Sequence, residues 1–262
     1  MIRAMMTAAS GMKVQQMQVD TIANNIANVN TAAFKKNELA FREMLYETLK
    51  EPGAPTAAAT MSPTGLQIGS GAEIASSLKI FKQGELQPTA STFDMAIQGQ
   101  GFFRIRLGNG DYRYTRDGSF RPDGTGSLVT AEGYPIDPPV QIPSDAIQVI
   151  IGEDGTVSVM NTESGAPQTL TTVSLFRFSN PTGLKAQGGN LYSETLSSGA
   201  ATQASPGLDG TGLVRQGYQE RSNVAVVDEL VGLILAQRNY EINSRAIRVS
   251  DEMLQQANQL SR

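Results

Sequence analysis

The sequence predicts an α+β protein in which long N- and C-terminal helices enclose a central all-β region rich in hairpins. Two observations lead to this class. Near both ends of the 262-residue chain, apolar residues recur at steps of three and four. In the middle, apolar and polar residues alternate between turn signals such as Asn-Gly and Asp-Gly. We expect the two terminal helices to pair as a coiled-coil domain.

The N-terminal helix is predicted from a pattern that holds over four heptads. An ordinary amphipathic helix packed on its own domain would show part of this pattern, but four heptads in register favour a helix–helix seam. The seam positions are apolar except for one glutamine: Met5, Ala8, Met12, Gln15, Val19, Ile22, Ile26 and Val29.

An asparagine cluster follows, and two interpretations of it stay open. Asparagine favours helix ends and turns, so the cluster suits a fraying end. Asn24 and Asn28 lie one helical turn apart, which also suits polar contacts that fix the register between packed helices. The same question applies to Asn239 and Asn243 near the other end of the chain.

The C-terminal helix is predicted over residues 224–262, with Ser222 or Asn223 as its N-cap and acidic residues early in the helix. At this length it would extend nearly ~60 Å, which suits a bundle or filament better than a compact domain. Its seam consists of Leu235, Ile242, Ala246, Val249, Met253 and Leu260, with Asn239 and Gln256 at the two vacant positions and Val227, Leu230, Val231 and Ile234 upstream.

The intervening chain divides by composition. Residues 51–72 are rich in Pro and Gly, which predicts a loop or extended arm that is either disordered or laid against a partner. Short strands are expected around Phe103–Leu107, at 147–151, at 156–160 and at 173–178. The predicted division is an N-terminal helical segment 1–45, an arm 46–94, a β domain 95–200, a return linker 201–222 and a C-terminal helix 223–262.

Composition closes most routes to catalysis. The chain has no Cys, His or Trp, so it cannot form a Ser-His-Asp triad, a thiolate or imidazole metal site or a disulfide. Paired carboxylates remain possible, but Asp111, Asp117, Asp123 and Asp154 lie in turn settings, where Asp is favoured for local hydrogen bonds. A net charge of −4 without a basic stripe disfavours nucleic acid. We expect no cofactor, no metal, no membrane insertion and no cleaved signal peptide.

Four stretches resemble the bacterial flagellar rod and hook proteins. ANNIANVNTAAFKK at 23–36 is similar to their N-terminal signature, and QERSNVAVVDELVGLILAQRNYEINSRAI at 219–247 to their C-terminal one. GELQPTASTFDMAIQGQGFFRI at 84–105 and YTRDGSF at 114–120 resemble the opening of the family's β domain. The arm from Tyr46 to Pro63 resembles a stretch typical of distal-rod subunits, whereas Ala33 stands where many members have Gly.

The resemblance implies a structural protein of the flagellar basal body and not an enzyme. Subunits of this kind leave through the flagellar type III export apparatus and stack into a hollow helical axle that crosses the periplasm and transmits motor torque to the hook. Expected partners are other copies of the chain, other rod proteins, the hook through adapter proteins, and the surrounding P and L rings. The expected assembly interface comprises Met5, Met12, Val19, Ile22, Asn24, Asn25, Ile26, Asn28, Val29, Phe34, Leu235, Asn239, Tyr240, Ile242, Asn243, Val249 and Met253.

Three alternatives remain at this point. One is a proximal-rod or hook subunit of the same family. A second is a carboxylate-based hydrolase of cell-wall glycan, which would need carboxylates from among Asp111, Asp117 and Asp123 to share one cleft. A third is a trimeric fibre or adhesin, which the symmetry of the assembly would separate from a helical rod.

Overall fold

The structure is a computed structural model, and it describes residues 2–53, 55–57, 60–61, 64–161 and 166–260. These form two compact units. Unit 1 comprises Met1–Ala27, Asn37–Leu78 and Ala225–Arg262, and unit 2 comprises Asn28–Lys36 and Lys79–Val224. The predicted α+β class is confirmed in its coarse form, a helix at each end and a β-rich middle, whereas the coiled coil and the sequence-based domain boundaries stay predictions.

Unit 1 contains two long helices and a ribbon of paired strands. Helix α1 spans Ile2–Ala27, and helix α2 spans Val226–Leu260. At ~1.5 Å per residue, α2 is about 52 Å long. Both helices lack internal Pro, and Asp228 and Glu229 lie in the first turn of α2, where they favour the helix dipole. The ribbon strands are β1 (Asn37–Glu43), β2 (Glu47–Lys50), β3 (Pro55–Ala57), β4 (Thr60–Met61), β5 (Leu66–Ile68) and β6 (Ala72–Lys79).

The predicted arm pairs with strands of its own chain, whereas we expected it to be disordered or laid against a partner. Strand β1 pairs with β6, β2 with β5, and β3 with β4. These nested pairs place the described part of residues 51–72 at the tip and on the returning side of a long hairpin, so the arm is extended but bonded to its own chain. Composition missed this because Pro and Gly mark turns without showing which strands a turn joins. Positions 54, 58, 59, 62 and 63 of the arm lie outside the described residues.

Unit 2 is made of short antiparallel strands and one 3₁₀ turn at Pro181–Gly183. Its strands are β7 (Leu86–Pro88), β8 (Met95–Gln98), β9 (Phe103–Arg106), β10 (Tyr112–Thr115), β11 (Arg121–Pro122), β12 (Leu128–Val129), β13 (Ile136–Asp137), β14 (Gln148–Ile151), β15 (Thr156–Met160), β16 (Gln168–Thr172), β17 (Leu175–Arg177), β18 (Lys185–Gly188), β19 (Leu191–Ser193), β20 (Thr202–Ala204), β21 (Leu213–Gln216) and β22 (Tyr218–Glu220).

Some of these strands pair through short turns, as the turn signals predicted, and others pair with strands that are distant in the sequence. One sheet has the order β13-β9-β10-β19-β18 and another the order β14-β15-β16, while β7–β22, β8–β21, β11–β12 and β17–β20 form pairs. The turn at 108–111 joins β9 to β10, and the Asp-Gly turns at 123 and 154 join β11 to β12 and β14 to β15. Gly155 adopts φ +78°, which an Asp-Gly hairpin turn supplies at low cost.

The core of unit 2 is apolar and fully covered. Along β9, Phe103 and Ile105 are fully buried while Arg104 and Arg106 face outward. Phe120 meets Phe103 edge to face, with ring centroids 5.4 Å apart. A second cluster is largely aromatic and contains Phe102, Tyr114, Phe176, Phe178, Leu184 and Tyr192.

Both helix boundaries differ from the prediction. Helix α1 ends at Ala27, so Asn28 and Val29 do not continue the heptad seam. The Thr31 N–H donates to the Asn28 carbonyl at 3.2 Å, and the Thr31 hydroxyl donates to Asn28 Oδ1 at 3.1 Å. These bonds stabilise a turn at Asn28 in place of a further turn of helix.

Helix α2 begins at Val226, later than expected, and Asn223 is not its N-cap. Asn223 Oδ1 accepts from the Lys36 N–H at 2.9 Å, and its Nδ2 donates to the Ile80 carbonyl at 2.7 Å and the Lys82 carbonyl at 3.0 Å. The asparagine therefore joins two other segments of unit 2, an outcome that local sequence cannot show.

Candidate assembly surface

The apolar seam predicted on α2 lies exposed along the helix. Ile242 is 62% exposed, Leu235 57% and Val249 47%, and Met253 is also exposed. Upstream, Val227, Leu230, Val231 and Ile234 are exposed as well. We call these eight residues the α2 stripe. So many exposed apolar side chains along one helix cost free energy in water, and they are typical of a surface that binds another molecule.

The face of α2 that packs on α1 is different in chemistry. Asn243 lies beside Gly11, where a Cβ built on the glycine would be 2.9 Å from Asn243 Nδ2. Gly232 lies beside Ile22, with a corresponding separation of 3.3 Å from the Ile22 Cδ1. Ala236 is also buried. At about 100° per residue, Gly232, Ala236 and Asn243 share one side of α2. The stripe is centred about 130° further around the helix, so most of it is turned away from α1.

Helix α1 uses its predicted seam mainly within the chain. Ile22 is 3% exposed, and Met5, Met12, Val19 and Ile26 are half-buried. The seam of α1 is therefore partly satisfied by its own unit, whereas the seam of α2 is not. Sequence periodicity found both seams but could not show which one the chain covers itself.

Asn25 is the buried member of the asparagine cluster, at 2% exposure. Its Nδ2 donates to the Asn37 carbonyl at 2.9 Å and to Glu229 Oε2 at 3.2 Å, while its Oδ1 accepts from the Asn37 N–H at 2.9 Å. The amide thus links the end of α1 to β1 and α2. One asparagine of the cluster makes a polar contact between helices, and the contact lies inside the chain.

The other residues of the predicted interface differ in their exposure. Asn24, Asn239 and Tyr240 are exposed. Tyr240 lines an open groove of about 420 Å³ in unit 1 with Gln16, Val19, Gln237 and Glu241. Phe34 is buried in unit 2, and the Lys79 ammonium lies 5.1 Å from its ring centroid.

A buried ionic junction in unit 2 is the feature that sequence reasoning missed. Glu220 Oε1 accepts from the Lys35 ammonium at 2.6 Å and from the Gly84 N–H at 2.8 Å, and its Oε2 accepts from Arg116 Nε at 2.8 Å. The side chains of Lys35 and Glu220 are fully buried, and that of Arg116 is 3% exposed. Lys35 also donates to the Lys82 carbonyl at 2.9 Å.

Arg116 completes the junction through backbone carbonyls. Its Nη1 donates to Gly101 at 2.9 Å, and its Nη2 donates to Gly99 at 2.9 Å and Ile97 at 3.3 Å. Each of the three charged residues, Lys35, Arg116 and Glu220, lies in one of the stretches that resemble the flagellar family. Their charge inside those stretches was the sequence feature that could have indicated the junction.

Burial sets the protonation of this junction. It lowers the pKa of the Lys35 ammonium to about 8, with the Glu220 carboxylate opposing the shift and the Arg116 cation adding to it. Burial alone would raise the pKa of Glu220, but the Arg116 and Lys35 charges and the hydrogen bonds from Lys35 and Gly84 hold it below its usual value. At neutral pH all three groups are therefore charged.

The candidate catalytic carboxylates bond to their own turns. Asp117 Oδ1 accepts from the Ser119 N–H at 3.0 Å, and Asp154 Oδ1 from the Thr156 N–H at 3.0 Å. Asp123 Oδ1 accepts from the Thr125 hydroxyl and from the N–H groups of Ser127 and Thr125, and these bonds lower the pKa of its carboxyl. An open groove of about 1060 Å³ has Asp123 in its lining, but neither Asp111 nor Asp117. This geometry offers no support for the hydrolase alternative.

Within residues 2–260, outside the gaps given above, no helix is long and apolar enough to cross a bilayer. Over the same residues, no three Asp or Glu side chains come together as a metal-binding group.

Three family profiles match the chain. The profile described as flagella basal body rod protein matches residues 5–35, that of the flagellar hook protein FlgE/F/G D1 domain matches 96–159, and that of the flagellar basal body rod FlgEFG protein C-terminal matches 215–260. They coincide with α1 and the turn after it, with the first part of the β region, and with β21, β22 and α2.

Full-length relatives agree with these profiles. The chain is 48% identical to the flagellar basal-body rod protein FlgG of Borreliella burgdorferi over 100% of both chains. It is 43% identical to the FlgG of Caulobacter vibrioides over 99% of both, and 42% identical to that of Bacillus subtilis over 100% of both. The chain therefore belongs to the flagellar basal-body rod proteins of the FlgG type, the structural subunits of the distal rod.

Proposed function

We propose that copies of this rod subunit join through the α2 stripe, as the coiled-coil inner layer of a hollow helical axle that transmits torque from the motor to the hook. The observation that carries the proposal is the exposure of an apolar heptad seam on the side of α2 that faces away from α1. A helix that only stabilised its own domain would place that seam inward.

The energetics favour assembly. Full burial of one Val, Leu or Ile side chain contributes roughly 1.5–3 kcal/mol. The stripe has eight apolar residues that are exposed in the single chain. Even partial burial of such a seam in every subunit supplies a driving force that the isolated chain does not use.

The strand ribbon offers a second surface for neighbouring subunits. Leu45 is 91% exposed, and Leu49 and Leu66 are exposed on β2 and β5. A two-stranded ribbon that leaves its apolar side chains in water is only marginally stable by itself. We propose that neighbouring subunits cover this ribbon and that the contact stiffens the axle.

The specific partners expected from the sequence are part of the same proposal. They are other rod proteins, the hook through its adapter proteins, the P and L rings, and the type III export apparatus that delivers the subunit. A mechanical role without catalysis accords with a chain that has no His or Cys and whose candidate carboxylates bond within turns. The remaining interface residues predicted from sequence are part of this proposal too.

The proposal is tested by placing a charge in the stripe. In Ile242→Asp, the new carboxylate would be exposed in the single chain and desolvated without a partner in the assembled one. We expect the variant to fold and to be exported, but to leave basal bodies without a distal rod and cells without motility. Circular dichroism measures the fold, and isolation of basal bodies measures assembly.

Ile242→Leu is the matched control, because it keeps the apolar character and should assemble normally. Ile26→Asp is a less clean test than Ile242→Asp, since Ile26 is half-buried within its own unit. Normal rods in the Ile242→Asp strain would show that the α2 stripe is not the assembly surface.

A further inference from the structure

Two exposed charge pairs in unit 1 have matching spacing and complementary sign. Lys13 and Asp20 lie on the exposed side of α1, seven residues apart, with Met6 and Met17 on the same side. Arg245 and Glu252 flank the α2 stripe and are also exposed and seven residues apart. Each spacing corresponds to about two helical turns, or roughly 10 Å.

For Lys13 and Asp20 against Arg245 and Glu252, the order of the charges favours one orientation. Both helices carry the cation first and the anion seven residues later. In an antiparallel arrangement Lys13 faces Glu252 and Asp20 faces Arg245, so both contacts are attractive. In the corresponding parallel arrangement both contacts are repulsive. None of these four residues forms an ion pair with another residue in the described part of the chain.

The pairing cannot form within one chain. The contacts of Gly11 with Asn243 and of Gly232 with Ile22 fix the antiparallel register of α1 and α2. At that register, Asp20 lies beside the turn around residue 234 of its own α2. Arg245 is about eleven residues further along, a distance of about 16 Å. The two charges can therefore meet only between two copies of the chain.

We propose that the exposed face of α1, with Lys13 and Asp20, docks antiparallel on the α2 stripe of a neighbouring copy, paired through Glu252 and Arg245. This inference rests on the proposed function, because it names the surface that the stripe binds and the residues that fix its register. The two faces belong to different helices, so the contact is heterologous, and two joined copies leave one free α1 face and one free α2 stripe. Such a contact continues into an open helical array.

Cysteine crosslinking tests the contact directly, since the native chain has no Cys. Asp20→Cys/Arg245→Cys would be expressed as the sole copy, and basal bodies would be isolated and oxidised. A disulfide requires Cα atoms within about 7 Å, so a bond inside one chain is excluded by the register. We expect the monomer band to be replaced by dimers and higher multimers on a non-reducing gel, and each single Cys variant to stay largely monomeric.

Monomers alone, from basal bodies that contain the double variant, would overturn the pairing and leave the rod function intact. Absence of the wild-type chain from basal bodies would overturn the proposed function instead. Stronger crosslinking in Asp20→Cys/Arg248→Cys would overturn the antiparallel register, because Glu241 and Arg248 offer the same spacing with the charges reversed.

Charge exchange gives an independent readout. Asp20→Arg and Arg245→Asp should each reduce the number of completed rods several-fold, and the double variant should restore them. Asp20→Arg/Arg248→Asp is the matched control and should not. Failure of the Asp20/Arg245 exchange to restore rods, with both single variants defective, would contradict the pairing.

Discussion

The β region of unit 2 and the long helix α2 differ in the exposure of their apolar residues. Phe103 and Ile105 in the β region are fully buried, while Leu235 and Ile242 on α2 are more than half exposed. The β region therefore has the core of a self-sufficient domain. Helix α2 has the surface of a component whose core is completed by other molecules. Stability and assembly are thus separated in this chain, and substitutions should affect one without the other.

The largest expected effect on stability lies in the buried junction of unit 2. Glu220→Gln keeps the shape of the side chain but leaves Lys35 and Arg116 buried without a counter-charge. We expect a loss of about 3–5 kcal/mol in the free energy of unfolding. Urea unfolding followed by circular dichroism measures it.

An exposed ion pair in the same unit serves as the control for this prediction. Arg215 Nη1 lies 3.0 Å from Glu153 Oε1, and both side chains are exposed. Glu153→Gln should cost no more than about 1 kcal/mol. Equal losses in the two variants would show that the junction is not the buried network described above.

The same contrast can be tested with two apolar truncations. Phe103→Ala removes a fully buried ring and should destabilise unit 2 by roughly 3–5 kcal/mol. Ile242→Ala removes an exposed side chain and should change the stability of the free chain by less than about 0.5 kcal/mol, but reduce rod assembly. Comparable destabilisation of the free chain by both would break the proposed separation.

A smaller effect is expected where unit 1 holds its own helices together. Asn25→Ala removes a buried amide that bonds Asn37 and Glu229. The loss should be about 1–3 kcal/mol, because the backbone groups of Asn37 lose their partner. The exposed Asn239→Ala is the control and should change stability by less than about 0.5 kcal/mol. Thermal loss of the helical circular dichroism signal distinguishes the two variants.

The pH dependence of the stability of unit 2 should have a defined sign. The unfolded chain holds the Lys35 proton up to its ordinary pKa of 10.5, whereas the folded chain releases it near pH 8. Stability from this group therefore rises between about pH 8 and 10.5. Because the folded pKa of Glu220 is lowered, its contribution is lost as the pH falls below its unfolded value of 4.5.

Lys35→Met isolates the alkaline part of this profile. Subtracting its profile from that of the wild type removes contributions from Lys79 and Tyr192, whose pKa values are also shifted by burial. A wild-type urea midpoint that rises no more than that of the variant between pH 8 and 10 would contradict the assigned direction.

Local patterns in the sequence were enough for the features that depend on near neighbours. The Asp-Gly turns at 123 and 154 join adjacent strands, so a few residues specify each hairpin. Periodicity likewise located the α2 stripe, since spacing on a helix is fixed by about 3.6 residues per turn.

Features that depend on distant parts of the chain escaped prediction. Lys35 and Glu220 are 185 positions apart, and no local signal shows that they meet. Asn223 looked like a helix cap but bonds three other backbone groups of unit 2. Asn28 forms a turn because its side chain competes with the helix for hydrogen bonds. Which seam the chain covers itself was also a question of packing.

Amide hydrogen exchange on the free chain and on isolated rods tests the central claim most directly. Helix α2 should open more readily in the free chain than in rods, so its amides should exchange faster there, because neighbouring copies cover the stripe and add contacts that opening would break. Amides of β9 and β15, in the core of unit 2, should be equally protected in both samples. Protection of α2 that is the same in the free chain and in rods would contradict the account.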